Sequence, residues 1–243
     1  MKDCSVMKIN CIGSGSSGNC YHITDGDTEI LLECGFNFKT IQKALNFKLN
    51  SISACLISHS HSDHIKGLKE VMNYGIDCYI GDLEKQYLIK NDKRYNNFRL
   101  KGIQPLEHFR VGTFTILPFD VQHDTEQPLG YLIQSDNGDK LLFATDTYYI
   151  KYTFTGLTHL LIECNNSIEI LNRNVETGVL NHSLKKRIRK SHFSLENVID
   201  FIKDCDLSQL KEVYLIHLSD SNSDENLFKK SIQKVTGRPV YVF

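Results

Sequence analysis

Four side chains of metal-binding type, His59, His61, Asp63 and His64, fall within six residues, directly behind the apolar run ACLI and ahead of a helix-like pattern. The first two histidines are two positions apart, which on a helix would set them about 200° around the axis, so they cannot share a helix face. The segment is therefore expected to be a loop wrapped around something small, with Asp63 and His64 at the start of the following helix. Neutral imidazole nitrogen and carboxylate oxygen suit a divalent cation such as Zn²⁺, Mn²⁺ or Fe²⁺. The bland alternative is a set of solvated loop histidines brought together by chance. Against it stand four more candidates at strand ends: Glu33 closes TEILLE, His123 follows ILPFDVQ, Asp146 follows LLFAT, and His217 sits in VYLIHLSD. Strand ends in α/β folds gather on one rim, where distant parts of a chain meet.

The elements that must position these residues are legible as short apolar runs rich in β-branched residues. Strands are expected at 8–12, 20–24, 28–33, 52–57, 77–80, 113–119, 130–134, 140–145, 159–163, 212–218 and 239–243. Helical periodicity lies between them at 36–47, 65–74, 82–90, 194–205 and 224–235, with Ser194 a partial N-cap signal. The chain reads as mixed α/β, with strands first in hairpins and later alternating with helices. No linker, low-complexity block or repeat interrupts it, so residues 1–243 are expected to form a single domain.

With 243 residues and 41% hydrophobic content the chain can bury a substantial core. Its formal charge of −1 gives no global basic field, so an anionic partner needs a local patch or bound metal. Eight cysteines, at 4, 11, 20, 34, 55, 78, 164 and 205, lie mostly inside apolar runs with no C-x-x-C pair. That usage suits buried, reduced thiols and a cytoplasmic location better than a disulfide framework. MKDCSVMKINCIGSG has no continuous apolar stretch of a secretion leader, and no window approaches the roughly 18 apolar residues of a membrane span. Residues 1–6 are expected to be a short extension before the first strand.

On these residues the chain resembles the metallo-β-lactamase superfamily, whose H-x-H-x-D-H signature is intact at His59, His61, Asp63 and His64. The segments GSGSSGNCY (13–21), LLECG (31–35), SHSHSDHIKGL (58–68), DVQHDTEQPLGYLI (120–133), LLFATDT (141–147), IECNN (162–166), SHFSLENV (191–198) and IHLSDSNS (216–223) look most like its YycJ-like, or WalJ-like, branch. The resemblance implies a four-layer αββα sandwich with two divalent metal ions at the rim, zinc or manganese, with iron a further option. It assigns His59, His61 and His123 to one metal, Asp63, His64 and His217 to the other, and Asp146 to both. Two departures stand out. The first acidic motif ends in Glu33 where the family has Asp, and Glu33 is expected to support the ligand histidines from behind. Asn166 stands where the family often has histidine or tyrosine.

Two such metals, about 3.5–4 Å apart, would bridge a water and supply hydroxide for in-line attack on a phosphodiester. Asp63 is then both ligand and catalytic residue. His192, in SHFS, is the candidate to protonate or stabilise the leaving oxygen. On residue type alone a helix-start histidine bonded to backbone is as good a reading, and the resemblance favours the catalytic one. Ser16 and Ser17 in GSGSSGN, together with Asn165 and Ser219, are candidates to line the cleft. Lys185, Lys186, Arg187, Arg189 and Lys190 form a basic run immediately before His192 that would guide a polyanionic backbone. The other reading of that run is a solvated helix face, and it also holds for the second basic stretch at 90–101. His22 and His159 read as core or surface residues, and His108 and His182 as polar-loop residues.

The resemblance implies a metal-dependent nuclease, with DNA the favoured substrate. Asp146 in place of a bridging cysteine argues against a β-lactamase, and the distance from Asp146 to His217 is too short for the inserted domain of RNA-processing relatives. A phosphodiesterase for a small cyclic nucleotide is the alternative, and a protein using its metals only structurally is a third. No membrane association is expected, and oligomeric state is not legible.

Overall fold

The computed structural model describes residues 6–243; residues 1–5, including Cys4 and most of the expected extension, lie outside the described residues. The chain is mixed α/β, as expected, and divides into two compact units. The first runs up to Asp120 and includes Thr125–Asp139; the second comprises Val121–Asp124 and Lys140–Phe243.

In the first unit β1 (Lys8–Gly13), β2 (Cys20–Thr24), β3 (Glu29–Leu32), β4 (Ile52–Leu56), β5 (Asp77–Gly81) and β6 (Leu100–Ile103) lie side by side in chain order. β1, β2 and β3 pair antiparallel, and β3 to β6 run parallel. Parallel neighbours need crossovers. These are α1 (Phe38–Ala44), then α2 (Ser62–Ile65) with α3 (Leu68–Tyr74), then α4 (Asp82–Asn91). Ile41, Leu68, Val71 and Met72 of these helices pack with Leu31, Cys55 and Cys78 of the strands. Each such side chain contributes about 1.5–3 kcal/mol when fully buried, so this layer holds β4 rigid and with it the loop that leaves its end. β7 (Phe109–Val111), β8 (Phe114–Asp120) and β9 (Leu129–Ser135) form an antiparallel meander in the same unit.

The second unit holds β10 (Lys140–Ala144), β11 (His159–Glu163), β12 (Glu212–Ile216) and β13 (Val240–Val242), all parallel and adjacent in chain order. The register pairs Ala144 with Ile162 and Glu163 with Ile216. Asp146, Glu163 and His217 therefore emerge at neighbouring strand ends. α5 (Ile168–Glu176), α6 (His182–Ser191) and α7 (Leu195–Asp204) lie between β11 and β12, and α8 (Glu225–Thr236) between β12 and β13. Their starts are fixed by Ser167, Asn181, Ser194 and Asp224, each accepting a backbone N–H with its side chain. Among the described residues no helix is long and apolar enough to cross a membrane. The described cysteines are free thiols, all buried except Cys11, which is half-buried.

The structure differs from the sequence reading in several elements. β6 and β7, four and three residues long, are too short to stand out as runs; β6 ends its sheet, so only one side of it is paired. The helix expected over 65–74 is broken at Gly67, where a Cβ would stand 2.6 Å from the Phe36 carbonyl. α6 is too polar to show an apolar stripe, yet its Lys and Arg residues are good helix formers and Asn181 caps it. His182 is consequently the first residue of a helix and not a loop residue.

The 59–64 loop depends on Gly35. Its N–H donates to the Asn19 carbonyl at 2.8 Å, Asn19 N–H donates to the Asp63 carbonyl at 2.8 Å, and Cys34 N–H donates to the His64 carbonyl at 2.9 Å. A Cβ on Gly35 would lie 1.7 Å from the Asp63 carbonyl oxygen, which is backbone and cannot rotate away. Gly35→Ala is expected to cost about 3 kcal/mol, the upper end for overpacking. Chemical denaturation reads this as a lower midpoint, and an unchanged midpoint would show that the loop is not held this way.

Candidate metal centre

In the first unit the loop after β4 brings His59, His61, Asp63 and His64 together. His59 Nε2 and His61 Nδ1 face each other at 3.0 Å, and Ser58 Oγ lies 2.9 Å from His59 Nδ1. His61 stands at the N-cap position of α2, so Asp63 and His64 fall in its single turn. His64 is fully buried, with Nε2 3.4 Å from Asp63 Oδ2 and Nδ1 3.4 Å from Glu33 Oε2. Glu33 is also fully buried, and its Oε1 accepts the Ser58 N–H at 3.1 Å. The longer side chain thus spans from the β4 end to the far side of His64. Burial pushes the Glu33 carboxyl pKa up, against the opposing pull of His64 and Ser58.

In the second unit Asp146, Glu163, His192 and His217 present donor atoms that all lie within 4.8 Å of one another. Glu163 organises them. Its Oε1 accepts from His192 Nδ1 at 2.6 Å and His217 Nδ1 at 2.8 Å; its Oε2 accepts from the N–H groups of Thr147 at 3.0 Å and Phe193 at 3.2 Å. Asp146 Oδ1 lies 2.8 Å from His217 Nδ1 and 3.2 Å from His192 Nδ1. His123 turns Nδ1 to the Ser191 carbonyl at 3.2 Å. A histidine pinned through one nitrogen by a carboxylate or carbonyl is oriented for ligation through the other.

Three of these residues have left-handed backbone: Glu33 with φ 64°, Asp146 with φ 45° and His217 with φ 54°. Few non-glycine residues adopt this conformation, at a cost of about 1–3 kcal/mol each. Each follows the last residue of a parallel strand closely, where the sharp turn swings its side chain off the strand line.

The donor chemistry fits divalent cations. His59 Nε2 with His61 Nδ1, and Asp63 Oδ2 with His64 Nε2, are nitrogen and oxygen atoms of the type such an ion takes, and Ser58 and Glu33 stand at the opposite ring nitrogens of His59 and His64. The remaining sequence candidates are placed as follows. Ser16 and Ser17 are exposed on their loop, while buried Asn19 of that loop brings Nδ2 within 3.3 Å of His64 Nε2. Asn165 donates to the His217 carbonyl at 2.9 Å, and Ser219 Oγ accepts from Asn222, so both brace the β12 end. Lys185, Lys186, Arg189 and Lys190, with His182, line one groove of about 380 Å³ on α6. Arg187 is exposed but is not part of that groove. His22 pairs with Glu29 at 2.8 Å, and buried His159 lies 2.8 Å from the Thr158 hydroxyl.

Glu163 and Asn19 are the site residues that sequence reasoning passed over. Glu163 ends HLLIE as Glu33 ends TEILLE, so the strand-end rule that singled out Glu33 applies to it equally. Asn19 has no such signal, because only the fold brings its loop to His64.

The family model described as a beta-lactamase superfamily domain matches residues 28–218. The chain is 27% identical over 242 residues to exodeoxyribonuclease YycJ of Bacillus anthracis, covering 94% of this chain and 89% of that protein. It is 30% identical over 234 residues to exodeoxyribonuclease WalJ of Streptococcus pneumoniae, covering 91% and 85%. Among solved structures, the metallo-β-lactamase fold protein YhfI of Bacillus subtilis superposes with a TM-score of 0.72 at 19% identity, covering 98% of this chain and 97% of that one.

The charge pattern of the second unit has a pH signature in the metal-free protein. Burial lowers the His192 pKa, but Glu163 and Asp146 outweigh it and raise the value to about 10. Burial likewise lowers that of His217, and Asp146 and Glu163 raise it to about 9. A raised histidine contributes stability that is complete below the unfolded value, about 6.5, and is lost as pH rises through the folded value. Protein kept in chelator should therefore show a falling melting temperature from about pH 6.5 to about 10. Glu163→Gln should flatten the fall; an equal slope in the two proteins would remove Glu163 from this role.

Proposed function

The chain belongs to the metallo-β-lactamase superfamily, in the branch of its YycJ- and WalJ-named relatives, and from that membership we propose a metal-dependent phosphodiesterase that degrades DNA from an end. The observation that carries the reading is the pairing, in each unit, of histidines with buried carboxylates, in a chain whose near-full-length relatives are named exodeoxyribonucleases. The two units act as one catalytic domain, a reading supported by a family match that runs through both.

In this reading His59, His61 and His123 hold one divalent cation, Asp63, His64 and His217 hold a second, and Asp146 serves both; zinc and manganese each suit the donors. When bound, the cations lower the pKa of a water and neutralise phosphodiester charge. The chain's own residues do the remainder. Ser58, Glu33, Glu163 and the Ser191 carbonyl orient the histidines. His192 is pinned through Nδ1 by Glu163 and its side chain is 23% exposed, which suits delivery of a proton to the leaving oxygen. The basic face of α6 holds the strand by its phosphates, and α6 ends at Ser191, next to His192.

Asp63→Ala is expected to lose bound metal and turnover of labelled DNA while its circular dichroism stays native. His192→Gln should retain the metal and lose about 10²–10⁴ in kcat. Metal analysis beside a panel of single- and double-stranded DNA, RNA and cyclic nucleotides, with Mn²⁺ or Zn²⁺, is the measurement. Full activity of Asp63→Ala would end the metal reading.

Neutralising Lys185, Lys186, Arg189 and Lys190 together should weaken polymer cleavage and reduce its salt dependence by up to about four counterions, while a small cyclic diester is untouched. Rates that fall equally on polymer and cyclic nucleotide would favour a closed small-molecule pocket instead.

A further inference from the structure

In the second unit a cavity of about 290 Å³ opens between the loop that follows Asp146 and helix α7. Tyr148 and Tyr149 line it with 37% and 55% of their surfaces exposed, and Tyr152 joins them. From half-buried Tyr152 an aromatic series runs into the core, with ring centroids 6.4 Å apart for Tyr152 and Phe154, 6.4 Å for Phe154 and Phe201, and 6.3 Å for Phe201 and Phe193. The tyrosine loop is held in shape: Asn197 Nδ2 donates to the Tyr148 carbonyl at 3.2 Å and the Thr147 hydroxyl donates to the Tyr149 carbonyl at 2.9 Å.

The cavity is tied to the candidate metal centre through one oxygen. Glu163 Oε2 accepts from Thr147 N–H, where the tyrosine loop begins, and from Phe193 N–H in the cavity wall. Tyr148 is two residues past Asp146, and Phe193 is the residue after His192. The cavity wall therefore includes residues close in sequence to both, held by the same carboxylate that bonds His192 and His217.

The charges lining the cavity select among ligands. Asp200 and Asp204 repel a phosphate, whereas their carboxylates accept hydrogen bonds from exocyclic amino groups of a base. Lys151, exposed and 5.0 Å from the Tyr152 ring centroid, supplies the single cation of the lining. Aromatic faces with carboxylate acceptors match a flat heterocycle bearing amino groups, and the volume is at the small end of ligand sites, suited to one base with its sugar.

We propose that this cavity is a nucleobase subsite, in which the base of a nucleotide adjoining the scissile phosphodiester stacks on the tyrosines. For its substrate the assignment rests on the nuclease reading above; as a binding site it stands on the cavity itself. Calorimetry with deoxyadenosine 5′-monophosphate and with deoxyribose 5-phosphate, on metal-loaded protein, separates the base from the phosphate both share. Wild type should bind the nucleotide at least about tenfold more tightly than the sugar phosphate, the scale of one base–aromatic stack. Tyr148→Ala/Tyr149→Ala, changed at exposed positions, should bring the two affinities together, and Tyr152→Ala should do so in part. Equal affinities in wild type, or a preference that survives both variants, overturns the subsite. If the preference holds and labelled oligonucleotides are not cleaved, the nuclease reading fails and the subsite stands; cleavage without the preference does the reverse.

Discussion

A carboxylate taken fully out of water must be met by donors, and the histidines of each unit are organised around one that is, Glu33 in the first and Glu163 in the second, each with no exposed surface. Glu163 meets four donors, two backbone and two imidazole, and this compensation holds its pKa below the ordinary carboxylate value despite burial, with His192 and His217 the opposing causes. Glu33 has fewer partners and its pKa is raised. The two carboxylates therefore differ in charge tendency, and each orients histidines on its own unit.

The backbone at these points follows from the same requirement. Parallel strands deliver their ends side by side, but a side chain continuing the strand would alternate between faces of the sheet. The left-handed residues Glu33, Asp146 and His217 break that alternation where the strand stops. Their strain is offset by what holds the segments around them: Glu33 N–H to Leu56, Asn165 Nδ2 to the His217 carbonyl, and Thr147 N–H to Glu163. Close backbone approach at Gly35 and Gly67 seats the 59–64 loop in the first unit.

Charge is segregated in the second unit in a way that suits a nucleotide polymer. α6 collects lysines and arginine on one groove and has no acidic residue in its first turn. α7, the next helix, turns Asp200 and Asp204 toward a tyrosine-lined cavity. Phosphate attraction on one helix and base-type acceptors on the next are the two halves of strand recognition under the proposed function. With a net charge of −1, this local separation, and not a global field, has to supply the attraction.

Much of this was readable along the chain. The eleven runs read as strands are all strands, because buried strands, parallel or antiparallel, are written as short stretches rich in β-branched and other apolar residues. The H-x-H-x-D-H spacing excluded a shared helix face, and strand-end position singled out Glu33, His123, Asp146 and His217. What the linear order left open depended on contacts distant in sequence. Glu163 gained its role from His192, 29 residues on, and His217, 54 residues on. Asn19 reached His64 only through Gly35 and the Asp63 carbonyl. Ser16 and Ser17, chemically apt, are turned out on an exposed loop, and Arg187 is parted from its basic neighbours by the helical period. Residue type and local period act over a few positions and so are set by sequence alone. Which buried charge meets which donor is decided when strand ends converge, since only folding brings such groups out of water together.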